Sequence, residues 1–232
     1  MNLRRILLLS LLLLASFKLP LWHDFDLWLF RLLNDSVKEN YFLQVFWALA
    51  NVKLFDLLGA VFIITFSFVA RVTLVQFLYY LIWFEIGIFS VKELLFPLLV
   101  ACNFLRDSPT LVCQDTFFLS NVIPWLKIKD SSHWSYPSDH ALIMLEWVGF
   151  IFFYKGIRIG ILAAVSSLLF IVPRLVGGAH WATDVLLGSL PIALLFVGLA
   201  CYTPLYAKGT ALLERLITRI FRKRYYVQQS TL

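Results

Sequence analysis

The chain has 232 residues, of which 61% are hydrophobic and only 15% charged, with a mean hydropathy of +0.83. Soluble domains run at about 45–50% apolar and about 25% charged, so these proportions exclude a soluble globule, and with it a disordered chain. The net charge of +6 reads as membrane topology and not as nucleic-acid binding.

An all-α integral membrane protein is expected, and the 22 Phe, nine Tyr and eight Trp suit aromatic belts at the bilayer interfaces. Arg4 and Arg5 open a Leu-rich run that continues past Ala15 without a cleavage signal, so residues 4–22 are predicted as an uncleaved first span. Residues 23–50 mix acids, bases and aromatics and are predicted as an interfacial amphipathic helix. Spans two and three are predicted at 54–70 and 72–91, joined by a tight turn at Arg71. The stretch 106–139 is the longest polar segment. Three more apolar runs follow, at 140–154, 159–173 and 185–206, the first two joined through Lys155, Gly156 and Arg158.

The tail 208–232 carries Lys208, Arg215, Arg219, Arg222, Lys223 and Arg224 and reads as a basic amphipathic helix on an anionic leaflet. With the N-terminus, the turns at 71 and 155–158 and the tail on one side, that side is almost purely basic, Glu214 being its one acid. The positive-inside rule then gives a six-transmembrane-helix bundle with both termini cytoplasmic. One domain, 1–232, is expected. Cys102, Cys113 and Cys201 form no disulfide framework, and no spacing rule supports a bond between Cys102 and Cys113.

The outward helix ends carry the chemistry. Tyr136-Pro137-Ser138-Asp139-His140 leads into the fourth span, and Arg174, His180 and Asp184 stand in the spacing Arg-x5-His-x3-Asp between the fifth and sixth. On a helix His180 and Asp184 would share a face, so Asp184 is expected to accept a hydrogen bond from one ring nitrogen and leave the other as nucleophile or base. Arg106 and Arg174 are forks suited to phosphate oxygens, Ser138 and the start of the fourth helix add donors, and His140 is placed to protonate a leaving oxygen. No metal cluster is apparent in the sequence. Taken singly, each of these residues has an ordinary interfacial role; taken together they make one site.

Pro137-Ser138-Asp139-His140 and Arg174-x5-His180-x3-Asp184 resemble the second and third signatures of the phosphatidic acid phosphatase type 2 superfamily. The resemblance covers roughly residues 20–206. It implies that His180 forms a phosphohistidine, Asp184 orients it, His140 is the acid, and Arg106, Ser138 and Arg174 bind phosphoryl oxygens, with no metal or other cofactor. The first signature is incomplete: Arg106 is followed by Asp107-Ser108-Pro109, Leu99 stands where a Lys is usual, and the nearest Lys is Lys92. Asp139 replaces the usual Gly, and Pro173 the usual Ser. These departures look like the branch of lipid A 1-diphosphate synthases of the Gram-negative inner membrane. That branch implies phosphoryl transfer from undecaprenyl pyrophosphate to lipid A 1-phosphate on the periplasmic side, membrane lipids being the partners.

The same residues would serve a phosphatase acting on undecaprenyl pyrophosphate, lipid A or phosphatidylglycerophosphate. A non-catalytic scaffold or transporter is the reading from another class, resting on Glu85 and Glu146 inside spans. For Asp139 two roles stay open: pairing with an arginine such as Arg106, or helping to deprotonate the incoming nucleophile.

Overall fold

The computed structural model describes residues 2–229, with side chains through 220. It is helical throughout, and among the described residues β structure is limited to one isolated bridge between Val52 and Ile128. α1 (Leu3–Ser16) is capped by Asn2, whose side chain accepts from the Arg5 N–H at 3.1 Å. It stops short of the expected span end at 22, because Pro20 cannot continue a helix. α2 (Leu21–Lys38) sets off at 82° to α1. α2 is not a purely interfacial helix: it buries Asp26, Phe30, Asn34 and Val37 on one face. Asn34 accepts from the Phe117 N–H at 2.8 Å and donates to the Phe117 and Val176 carbonyls, tying α2 across the outer end of the bundle.

α3 (Tyr41–Leu49) leads through Asn51 into α4 (Lys53–Val69). Arg71, at φ 56°, closes α4, and a Thr73–Gln76 capping box starts α5 (Leu74–Ser90). A π turn at Val91–Leu95 precedes Pro97 and carries the chain into α6 (Phe96–Ala101). The wider turn accommodates a proline that an uninterrupted ladder would not. After α7 (Pro109–Val112) and the long loop, α8 (Asp139–Val176) runs for 38 residues but bends back at Gly156, whose φ of 77° and ψ of −175° are open essentially to glycine alone. The two limbs are antiparallel. His140 and Arg174 would be about 51 Å apart along a straight helix, yet their side chains meet at 3.1 Å.

A π segment, Asp184–Ser189, opens α9 (Leu190–Cys201), and α10 (Leu205–Gln229) ends the described chain. The expected tail helix therefore exists as backbone to Gln229, whereas the side chains of Arg222, Lys223 and Arg224 and residues 230–232 lie outside the described residues. Three stretches, Leu74–Ala101, Asp139–Val176 and Asp184–Cys201, are long and apolar enough to cross a membrane, and α1 with α2 would make a fourth if they form one broken span. The core gathers around Trp147, Phe150, Tyr79 and Tyr80. Two of its polar side chains are hydrogen-bonded: Trp147 Nε1 donates to Ser67 Oγ at 3.1 Å and Tyr79 Oη to the Ala200 carbonyl at 2.9 Å. α1 packs closely on α9 because Gly198 leaves room for Ile6. Outward faces are aliphatic and aromatic, Phe68 and Val69 among them, as a hydrocarbon solvent requires.

Glu146 is fully buried against Gly87 with both carboxyl oxygens unpartnered among the described residues, while Glu85 is exposed on the outside of the bundle. The two acids do not share a path, which removes the sequence argument for a transporter. Cys102, Cys113 and Cys201 are all free thiols.

Candidate active site

One end of the bundle collects the start of α8, the end of its second limb, the Gly177–Thr183 turn and the start of the π segment. All seven residues singled out from sequence lie here, joined by contacts that run Arg106, Asp184, His180, Asp139, His140, Arg174, with Ser138 at the helix start. Ser138 is buried and caps α8, its Oγ accepting from the Ala141 N–H at 3.4 Å.

His180 is buried and sits in the turn before the π segment, not on a helix shared with Asp184. The expected orienting bond is therefore absent: Asp184 Oδ2 lies 3.8 Å from His180 Nδ1 and instead accepts from the Trp181 N–H at 2.7 Å. The Ser135 carbonyl takes the orienting role at 2.7 Å from Nδ1. A carbonyl can only accept, so Nδ1 carries the proton and Nε2 keeps its lone pair. Nε2 is buried, has no hydrogen-bond partner among the described residues, and stands 3.9 Å from Asp139 Oδ1. Burial pushes the His180 pKa down to about 4, so the ring is neutral near pH 7.

His140 faces a carboxylate on each ring nitrogen, Asp139 Oδ1 at 2.6 Å from Nδ1 and Asp56 Oδ1 at 3.0 Å from Nε2. Arg174 is buried; its Nη2 reaches Asp56 Oδ1 at 2.5 Å, and its Nη1 donates to the Asn51 carbonyl and to Asn51 Oδ1 at 3.0 and 3.1 Å. Asn51 Nδ2 also donates to the Pro173 carbonyl at 2.8 Å, fixing the residue just before the arginine.

Arg106 belongs to a second cluster. Its guanidinium donates to Asp184 Oδ1, Asp26 Oδ2 and Thr183 Oγ1, each at 2.7 Å, and lies between the rings of Phe17 and Trp181. The expected pairing of Asp139 with Arg106 does not occur: Asp139 turns to His140, and Arg106 is held by Asp26 and Asp184. The two arginines thus stand on opposite sides of His180 instead of forming one cradle.

A cavity of about 480 Å³ opens between α4, α5 and α8. Its polar end is Asp56, Asp139 and His140, and its remainder is apolar, with Phe55, Phe84 and Phe170 in the wall. The ligand atoms of Asp139, His140 and His180 lie within 4.8 Å of one another, so this trio could also take a metal ion. Sequence reasoning missed Asp26, Asn51, Asp56 and Ser135. Asp26 and Asn34 do leave a trace, as polar residues on the same helical stripe as Phe30 and Val37, and Asp56 as an acid opening an apolar run. Ser135 acts through its backbone, which no side-chain pattern reports.

Residues 102–208 match the model of the PAP2 superfamily. Lipid A 1-diphosphate synthase of Escherichia coli (strain K12) is 34% identical over 113 residues, 49% of this chain and 44% of that protein, so the match spans less than half of the relative's length. The crystal structure of a transmembrane PAP2-type phosphatidylglycerolphosphate phosphatase from Bacillus subtilis has the same fold, with a TM-score of 0.50 and 19% identity, covering 86% of this chain and 94% of that one.

Proposed function

We propose that this chain, whose residues 102–208 match the PAP2 superfamily model, belongs to that superfamily and is a membrane phosphotransferase that moves a phosphoryl group from undecaprenyl pyrophosphate to lipid A 1-phosphate. The observation that carries this reading is His180: a buried, neutral imidazole with its proton held on Nδ1 and an unpartnered Nε2 beside His140. The acceptor rests on the likeness to a protein named lipid A 1-diphosphate synthase, and the donor on the motif resemblance set out from the sequence.

In the first step the Nε2 lone pair attacks the terminal phosphorus. The bond from that phosphorus to the bridging oxygen breaks, its electron pair stays on the departing polyprenyl phosphate, and His140 supplies the proton. Arg174 offsets the charge on the transferring group, and the apolar walls of the cavity take the first prenyl units. In the second step an acceptor phosphate oxygen attacks the phosphohistidine, the P–N bond breaks, and Nε2 regains its lone pair. Attack by water instead would make the protein a lipid phosphatase with the same residues. The site residues can supply both steps without a metal ion or other cofactor.

The six spans are α1, α4, α5 with α6, the two limbs of α8, and α9, forming a single domain. The Lys/Arg distribution supports both termini and α10 in the cytoplasm and the site at the opposite face, and the likeness to a lipid A 1-diphosphate synthase supports a Gram-negative inner membrane with that face periplasmic. Purified protein in proteoliposomes, given undecaprenyl pyrophosphate labelled in its terminal phosphate, tests the assignment. Label should pass to lipid A when lipid A is present. Label released only as free phosphate, with or without lipid A, would make the protein a hydrolase.

A further inference from the structure

Either nitrogen of a neutral imidazole can carry the proton, and only a bare Nε2 lets His180 attack. The Ser135 carbonyl, 2.7 Å from Nδ1, makes that choice. Whatever fixes this carbonyl therefore keeps the nucleophile ready. We propose that Tyr136 is the positioning residue that does so, by hydrogen-bonding its hydroxyl to the π segment Asp184–Ser189. The proposal rests on the reading of His180 as nucleophile and adds a residue that does not itself touch the reacting atoms.

Ser135 is held from both sides. Before it, the Ser135 N–H and Oγ both donate to the Arg106 carbonyl, at 2.9 and 3.1 Å. After it, the chain lies against the π segment at two anchors. Tyr136 Oη donates to the Leu187 carbonyl at 3.1 Å, and Ser189 Oγ to the Ser138 carbonyl at 2.6 Å. Gly188 stands between the anchors. A Cβ there would lie 2.9 Å from Tyr136 Cε2 and 3.0 Å from Pro137 Cβ, so the close approach depends on glycine.

The sequence provides the acceptor for Tyr136. In an α-helix the Leu187 carbonyl would accept from the N–H four residues on, but that residue is Pro191, which has no N–H. Leu187 is buried, and a buried carbonyl needs a donor. The tyrosine hydroxyl takes that place. Its ring packs on Phe17 and Phe104, with centroids 5.2 and 5.5 Å away, which fixes where the hydroxyl points. Burial pushes the Tyr136 pKa up to about 12, so the hydroxyl keeps the proton it donates.

Ring-nitrogen NMR of the full chain in detergent, with isotope-labelled histidine, reads the tautomer directly, and only four histidines need assignment. The His180 signals are those lost in His180→Ala. In wild-type protein at neutral pH they should show a protonated Nδ1 and a bare Nε2. Tyr136→Phe keeps the ring and its aromatic neighbours and removes only the hydroxyl. It should move part of the proton population to Nε2 and slow single-turnover phosphohistidine formation about three- to ten-fold, the scale of one hydrogen bond. The donor KM should stay the same, because Tyr136 does not line the donor cavity. Ser189→Ala removes the other anchor and should shift the tautomer in the same direction. A wild-type His180 protonated on Nε2 overturns the proposal. So does an unshifted tautomer in Tyr136→Phe, even with a lowered Tm, since the hydroxyl would then serve stability alone. If undecaprenyl pyrophosphate yields no phosphohistidine in wild-type protein while the tautomer still depends on Tyr136, the nucleophile reading falls and the positioning role stands.

Discussion

His180 illustrates how a buried side chain acquires a chemical role from a backbone atom. The Ser135 carbonyl fixes its tautomer, and burial keeps it neutral. His180→Ala should therefore abolish phosphohistidine formation in protein that remains folded, and retained turnover would remove this residue from the mechanism. Because its pKa is pushed down to about 4, the ring keeps its lone pair from neutral pH down to that value and loses it below. Single-turnover formation of the intermediate should show its acidic limb near pH 4; a limb near 6.5 would mean that His180 is solvated. Asp139 is the neighbour with most freedom, its side chain being 59% exposed. Its carboxylate stands between His140 and His180, where a transferring phosphoryl must pass. Asp139→Asn removes a charge that repels the donor and also one that holds His140. The donor KM should fall while intermediate formation slows by about ten- to a hundred-fold, as for a weakened general acid. An intermediate that forms at the wild-type rate and fails only in transfer would make Asp139 a base for the acceptor instead. The proximity of Asp139, His140 and His180 gives chelation a definite meaning as well. Activity should survive EDTA, and complete loss restored by one divalent ion would turn this trio into a metal centre.

Among the elements, α8 decides whether a site exists, since its two limbs bring His140 to Arg174 only by reversing at Gly156. The sequence marks this reversal with Lys155, Gly156 and Arg158 between two apolar runs, and a charged interruption of that kind is legible because hydrocarbon would exclude it. The break after α1 was harder to read. A Leu-rich run with Trp22 beyond it looks continuous by hydropathy, and only Pro20 signals that the helix must stop. α2 was misread for a related reason. Its polar residues Asp26 and Asn34 look solvent-facing by composition, but they point inward to partners more than 80 residues away in sequence. At Gly156 a Cβ would meet nothing within 4 Å, so Gly156→Ala tests backbone conformation without a clash. The cost should be about 1–3 kcal/mol, a drop of several degrees in Tm by tryptophan fluorescence in detergent, with the donor KM unchanged. A raised KM without a lower Tm would mean that the reversal tunes the site and not the stability.

On the scale of the whole molecule, the fold was legible because hydropathy and charge act on long segments, whereas the site was legible only as far as side chains carry it. Ser138, His140, Arg174, His180 and Asp184 were found from motif spacing and do meet, but their pairing was misassigned because the spacing implied a helix where the chain makes a turn and a π segment. Orientation in the membrane is the property that all the functional arguments share, and the native thiols can report it. Cys102 is exposed just beyond α6, at the end of the bundle that holds Arg106. Cys113 is half-buried in the following loop, and burial raises its thiol pKa, which lowers its thiolate fraction and slows its alkylation. Cys201 is buried at the far end of α9. In intact spheroplasts a membrane-impermeant maleimide should therefore label the protein rapidly at Cys102 and slowly at Cys113, and leave Cys201 untouched. Cys102→Ser should remove the rapid phase and nothing else. Rapid labelling only after the membrane is opened, still lost in Cys102→Ser, would put the site end in the cytoplasm and reverse the topology that the Lys/Arg distribution implies.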